Sequence, residues 1–282
     1  MTAAGFPRTP ELAQLVARLP PPIVVFNKSH SGSRLLASML QAAGVFMGAN
    51  LNESRDSWDL LPVVHYLVTR YYPEYGPALD GSDRLVEPMI ATALGCHLEG
   101  YDPNGGPWGW KLCETTHILP VVAALFPQGR FVHLLRDGRD VAFSDHIGPT
   151  SAFWRKIYFG TDAIERWNGM ALDGGAYRRK PHLFNAQHWI ASVGAARRAG
   201  RPLGDRYREI RYEDLCEDFP GATERLFAFL GLDPAPAIAA ARGEISRGSI
   251  GKFRSQPLAR RRAVLDLIRP LQAELGYPAT ET

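Results

Sequence analysis

Short apolar runs alternate along the chain with longer stretches in which apolar residues recur every three or four positions. That order predicts an α/β fold, a mostly parallel sheet with helices packed on both faces. Residues 23–27, 108–111, 131–135 and 207–211 are short and rich in β-branched or aromatic residues, and they predict strands. Helical periodicity predicts helices over 34–43, 57–71, 84–99, 116–126, 140–147, 187–199, 221–230 and 258–275. Gly44, Pro127 and Gly231 follow three of these as stop signals. The first 20 residues read as a short helix and an extended lead-in. Residues 149–181 are irregular and aromatic-rich, and read as a cap or substrate loop on a single domain spanning 1–282.

Composition narrows the class without naming a function. With 45% apolar and 22% charged residues, the chain matches an ordinary soluble enzyme. Cys96, Cys113 and Cys216 lie far apart with no CxxC pair, which argues against a disulfide framework and a cysteine-rich zinc site, so a reducing cytoplasm is the expected compartment. No HExxH spacing is present, and no metal is expected. The N-terminal stretch lacks a long apolar run, so neither a signal peptide nor a membrane span is expected. A net charge of +3 is too small to imply nucleic-acid binding. Its distribution is uneven, because seven Arg or Lys residues between Arg242 and Arg262 face only Glu244.

The stretch FNKSHSGSRLL, Phe26 to Leu36, joins a predicted strand to a predicted helix. Such a junction presents free backbone N–H groups and the positive end of the helix dipole, an arrangement that binds anions. Ser29, Ser31 and Ser33 add hydroxyls, Gly32 lets the backbone approach closely, and Lys28, His30 and Arg34 supply charge. The alternative is that Ser31 or Ser33 simply caps the helix. Neither GxxxxGK[ST] nor GxGxxG is present, so this is not a standard ATP or NAD loop.

A second motif lies in FPQGRFVHLLRDGRDVAFS, Phe126 to Ser144. Arg136 leaves the carboxyl end of a strand, where open α/β sheets bind ligands, and Ser144 follows about two helical turns later. An Arg fork and a hydroxyl so placed suit one phosphate group. The alternative is a surface ion-pair turn made by Arg136, Asp137, Arg139 and Asp140.

Together the two motifs resemble the sulfotransferase family, whose sulfuryl donor is 3′-phosphoadenosine-5′-phosphosulfate (PAPS) and whose nucleotide product is 3′-phosphoadenosine-5′-phosphate (PAP). The resemblance implies a P-loop-like sulfotransferase fold, with Lys28 through Arg34 at the 5′-phosphosulfate and Arg136 with Ser144 at the 3′-phosphate. It extends through YREIRYEDLCEDFPGATERLFAFLGL, Tyr207 to Leu232, which carries Tyr212. The late GSIGKFRS, Gly248 to Ser255, resembles the loop that closes over the donor, with Lys252 and Arg254 as anion contacts. Four positions depart from the family pattern: Asn27 replaces the usual Gly, His30 replaces the usual Arg, Lys or Gly, Ser33 replaces Thr, and Cys113 replaces a proline.

Transfer of a sulfuryl group to a hydroxyl needs a base for the acceptor and a cation at the breaking bridge bond. Glu53, in ANLNESRDSW, resembles the catalytic carboxylate segment of some sulfotransferases, and Lys111, ending WGWK, resembles the lysine that steadies the bridging oxygen. His117, in TTHILP, is the competing base, and Glu114 is a third candidate. Trp108, Trp110, Trp154, Tyr158, Phe159, Trp167 and Trp189 either line an acceptor site or belong to the core. The implied partner is a small-molecule or carbohydrate hydroxyl acceptor. An ATP-dependent phosphotransferase and a non-catalytic PAP-binding protein remain as alternatives.

Overall fold

Among the described residues, four parallel strands form the sheet. The computed structural model describes residues 9–76, 79, 81–144, 179–241, 243–245 and 247–280. The strands are β1 (Ile23–Asn27), β2 (Gly109–Lys111), β3 (Arg130–Leu135) and β4 (Tyr207–Arg211), and they lie in the order β2-β1-β3-β4. All five residues of β1 are buried, as expected of a central strand covered on both faces. Val24 and Phe26 enter one core with Trp108, Trp110 and Phe131, whereas Ile23 and Val25 enter the opposite core with Val132 and Leu134. Each face therefore reads alternate residues, the two-residue period of a strand.

The first core is covered by α1 (Pro10–Arg18), α3 (Leu61–Tyr66), α5 (Val86–His97) and α6 (Thr115–Leu125). The second is covered by α2 (Ser33–Ala42), α9 (Tyr212–Glu217), α10 (Phe219–Leu230) and α11 (Ala235–Ala241). A third cluster joins α7 (Gly138–Ala142), α8 (Pro181–Gly200) and α12 (Leu258–Glu274) around Trp189, Val264 and Ile268. Burying a side chain of this kind stabilises the fold by about 1.5–3 kcal/mol before the entropy of ordering it is counted.

The predicted helix over 57–71 is broken into a 3₁₀ turn at Trp58–Leu60, α3, a π-helical turn at Leu67–Tyr71 and α4 (Tyr72–Tyr75). Pro73 explains the wide turn, because its ring has no N–H and collides with the carbonyl four residues back, at Thr69. The predicted helix over 140–147 begins earlier and ends at Ala142, so Ser144 lies two residues beyond it rather than on it. Residues 145–147 and nearly all of the 149–181 segment lie outside the described residues, and Pro181 opens α8. Among the described residues no helix is long and apolar enough to cross a membrane.

Candidate active site

Each strand delivers one candidate group to the same edge of the sheet. Lys28 follows the last residue of β1, Lys111 is the last residue of β2, Arg136 follows β3 and Tyr212 follows β4. Because all four strands run parallel, these groups gather at their common carboxyl end, the place where open α/β sheets bind ligands.

The loop after β1 is held by its own polar groups. Ser31 Oγ donates to the Lys28 carbonyl at 2.7 Å, Asn27 Nδ2 donates to the same carbonyl at 2.6 Å, and Lys28 Nζ donates to Ser29 Oγ at 2.9 Å. Gly32, not a serine, is the N-cap residue of α2, and no side chain caps the helix. The capping alternative thus fails for both Ser31 and Ser33, and the first amides of α2 stay available to an anion. Gly32 sits at φ +88°, where a Cβ would stand 2.3 Å from two carbons of the Tyr212 ring. Only glycine combines that backbone conformation with that contact. His30 and Arg34 are exposed, and His30 also has a positive φ of 70°.

Arg136 fastens three segments together. Its guanidinium donates to the His30 carbonyl at 2.9 Å and to the Ser249 carbonyl at 2.5 Å, and it lies 5.2 Å from the centre of the Tyr212 ring. Among the described residues its buried Nε has no hydrogen-bond partner, nor has the buried Ser144 Oγ. The turn that follows is not a surface ion pair, since Arg136, Asp137, Arg139 and Asp140 are all buried. Asp137 caps α7 through the Arg139 amide and pairs with the Arg139 guanidinium at 2.8 Å. Asp140 accepts the amides of Gly251 at 2.7 Å and Phe253 at 3.2 Å, which ties the late loop to this turn. Burial pushes the Asp140 carboxyl above its usual range against those two bonds. Lys252 is half-buried in the late loop, whereas Arg254 is exposed and lies 5.5 Å from the Phe253 ring centre.

Lys111 is buried, and its ammonium donates to the Ser54 carbonyl at 2.9 Å and pairs with Asp56 at 2.7 Å. Glu53 neighbours that anchored carbonyl and is itself exposed, with no hydrogen bond or ion pair to the described residues. Glu114 is buried at the start of α6. His117 is buried on α6, and burial alone pulls its pKa to about 4, so it is neutral at pH 7. Burial also pulls Lys28 down to about 8, partly offset by Cys113 and Glu114. Two groups escaped the sequence reading. Asp56 is a polar residue of the loop that carries Glu53, and His188 on α8, held well below its usual pKa by burial and then by Lys28, His117 and His30, sits in a helix with no motif around it.

Trp108, Trp110 and Trp189 belong to the core rather than to an acceptor site, and each indole N–H is satisfied internally. The other four aromatics of that set lie outside the described residues. No cluster able to hold a metal ion is present among the described residues.

A family model described as "Sulfotransferase family" matches residues 21–236. Human carbohydrate sulfotransferase 5 is 33% identical over 125 residues, which is 44% of this chain and 29% of that relative. The match therefore spans under a third of the relative's length. Among solved structures, the sulfotransferase domain from the curacin biosynthetic pathway superposes with a TM-score of 0.55 over 92% of this chain and 99% of that one, at 17% identity. Sulfotransferase STF9 from Mycobacterium avium gives 0.54 over 94% and 80%, at 11% identity. At such identities the two structures share the fold.

Proposed function

Since the chain belongs to the sulfotransferase family, we propose that it moves a sulfuryl group from PAPS to a hydroxyl of a small-molecule or carbohydrate acceptor. The observation that carries the donor assignment is a pair of buried polar atoms with no hydrogen-bond partner among the described residues, Arg136 Nε and Ser144 Oγ. A buried donor without an acceptor costs about 1–3 kcal/mol, and an anionic phosphate oxygen would satisfy both groups. The 3′-phosphate is assigned to this pair, with Tyr212 beside it and Lys252 and Arg254 on the late loop. The 5′-phosphosulfate is assigned to Lys28, Ser29, His30, Ser31, Gly32, Ser33 and Arg34, where the uncapped start of α2 supplies N–H groups.

In the reaction the acceptor oxygen forms a new bond to sulfur while the bond from sulfur to the bridging oxygen breaks, and its electron pair stays on PAP. Charge grows on that bridging oxygen, and Lys111 is the cation assigned to it. Sulfuryl transfer, like phosphoryl transfer, passes through a loose transition state, so fixed cations and alignment supply most of the acceleration. The acceptor proton goes to Glu53, whose neighbour Ser54 is bonded to Lys111. His117 is the competing base.

Thermal unfolding with PAP, and with ADP and Mg·ATP in parallel, tests the donor site. A ligand that binds only the folded state stabilises it by about 2.7 kcal/mol at a hundred times its Kd. A selective rise with PAP is the expected result. A rise confined to Mg·ATP would overturn the donor assignment in favour of a phosphotransferase.

A further inference from the structure

We propose that Asp56 is a positioning residue that fixes the ammonium of Lys111 at the carboxyl end of β2, through the 2.7 Å ion pair between them. The inference rests on the assignment of Lys111 to the bridging oxygen. An ammonium that is removed from water must find acceptors inside the protein. Lys111 is 2% exposed, and the bonds to it come from one short turn: the Ser54 carbonyl and the Asp56 carboxylate.

That turn is braced at both ends. Asn52 Nδ2 donates to Asp56 Oδ2 at 3.2 Å, and Asn52 Oδ1 accepts the Asp56 amide at 2.8 Å. One residue later, the Ser57 amide donates to the Lys111 carbonyl at 3.0 Å. Ser57 Oγ then meets His97 Nδ1 at 2.7 Å, and His97 Nε2 meets the Gly109 carbonyl at 3.0 Å. A carbonyl can only accept, so Nε2 carries the hydrogen and the Ser57 hydroxyl donates to Nδ1. Burial pulls His97 to about 4, which keeps this neutral arrangement at pH 7. Ser57, the residue after Asp56, is thus attached to the same strand twice, at Gly109 and at Lys111.

Lys28 provides an internal comparison. Both lysines are buried, and both face Cys113 and Glu114. Burial pushes the Cys113 thiol up, so it carries no charge near neutral pH. Lys28 is pulled down to about 8, whereas Lys111 is held above its usual value against burial, with Cys113, Asp56 and Glu114 raising it. The direct carboxylate contact is made by Lys111, and no carboxylate pairs with Lys28 among the described residues.

The test follows the Lys111 side-chain ammonium by lysine-selective NMR as pH is raised, in the native protein and in Asp56→Asn. The Lys111 signal is assigned by its loss in Lys111→Arg. In Asp56→Asn the midpoint is expected to fall toward the value of about 8 held by Lys28, and Asp56→Glu is expected to restore much of it. An unmoved midpoint overturns the proposal. Turnover with PAPS is read separately: kcat is expected to drop about tenfold or more, its alkaline limb to move with the lysine, and PAP affinity to stay within about twofold, as for a group that acts only on transition-state charge. A lowered midpoint with no turnover by the native protein would leave Asp56 in place and remove the transfer reading. If Asp56→Asn does not fold, Asn52→Ala, which frees the carboxylate from its brace, is expected to lower the midpoint by less, and no change there overturns the proposal.

Discussion

Arg136 donates to the carbonyl of His30 at 2.9 Å, and this single bond joins the end of β3 to the loop after β1. The same guanidinium is assigned to the 3′-phosphate. Arg136→Ala is therefore expected to lose about 1.5–3 kcal/mol of PAP binding, the scale of a hydrogen bond to a charged group. Isothermal titration with PAP and with 5′-AMP measures this. The loss should be concentrated on PAP, and equal losses for both ligands would remove the 3′-phosphate from Arg136.

Glu53→Gln removes the assigned base but no bond to the described residues. PAP affinity should be unchanged, while kcat should fall by about 10²–10⁴-fold. His117→Gln is the paired variant, because a histidine held at about 4 is neutral and able to accept a proton, though weakly. Retained turnover in Glu53→Gln together with its loss in His117→Gln would transfer the role to His117.

Lys28 makes both binding and stability depend on pH. Its folded pKa of about 8 lies below the ordinary 10.5, so between those values the unfolded chain binds more protons than the folded one. Stability contributed by this group therefore rises with pH across that window, and below about 8 the full penalty of burying a charge is present. An anion seated against Lys28 favours its charged form. At pH 8, PAP binding should take up roughly half a proton, read by calorimetry in two buffers of different ionisation enthalpy. Lys28→Met should abolish the uptake, and uptake that persists in that variant would point to a different group.

Gly32→Ala should destabilise more than Gly44→Ala. Both glycines have positive φ, +88° and +83°, so both substitutions carry strain of about 1–2 kcal/mol. At Gly44 an added Cβ meets nothing within 4 Å, whereas at Gly32 it meets the Tyr212 ring at 2.3 Å. Urea unfolding of the two variants isolates the ring contact. Equal losses would show that the ring moves aside despite Arg136 above it.

β1 and β3 were readable to within a residue because each is a short apolar run closed by polar residues, and in a parallel sheet such runs are buried almost whole, whereas β4, Tyr-Arg-Glu-Ile-Arg, buries only Ile210 and was readable from its Tyr and Ile. That reading also put Lys28, Lys111, Arg136 and Tyr212 in view, since each ends a strand or directly follows one. α9 was not visible as a helix because YEDLCE is mostly polar and follows β4 without a break. Ser249 was not visible as a partner of Arg136, for the two lie 113 positions apart and meet through a backbone carbonyl that any residue would supply. Asp56 lay within the segment that was singled out for Glu53. What periodicity could not give was the φ of +61° at Arg55 and the turn around it, which aim Asp56 at Lys111.

The late loop is stitched to the turn after β3 by the Ser249 carbonyl on Arg136, by the Gly251 and Phe253 amides on Asp140, and by the Phe253 ring 4.1 Å from the Arg139 guanidinium. These bonds are made when the chain folds and need not be remade at each encounter with nucleotide. The entropy of ordering that loop is thus surrendered once per molecule rather than once per turnover, and association at this end becomes docking onto a surface that is already shaped.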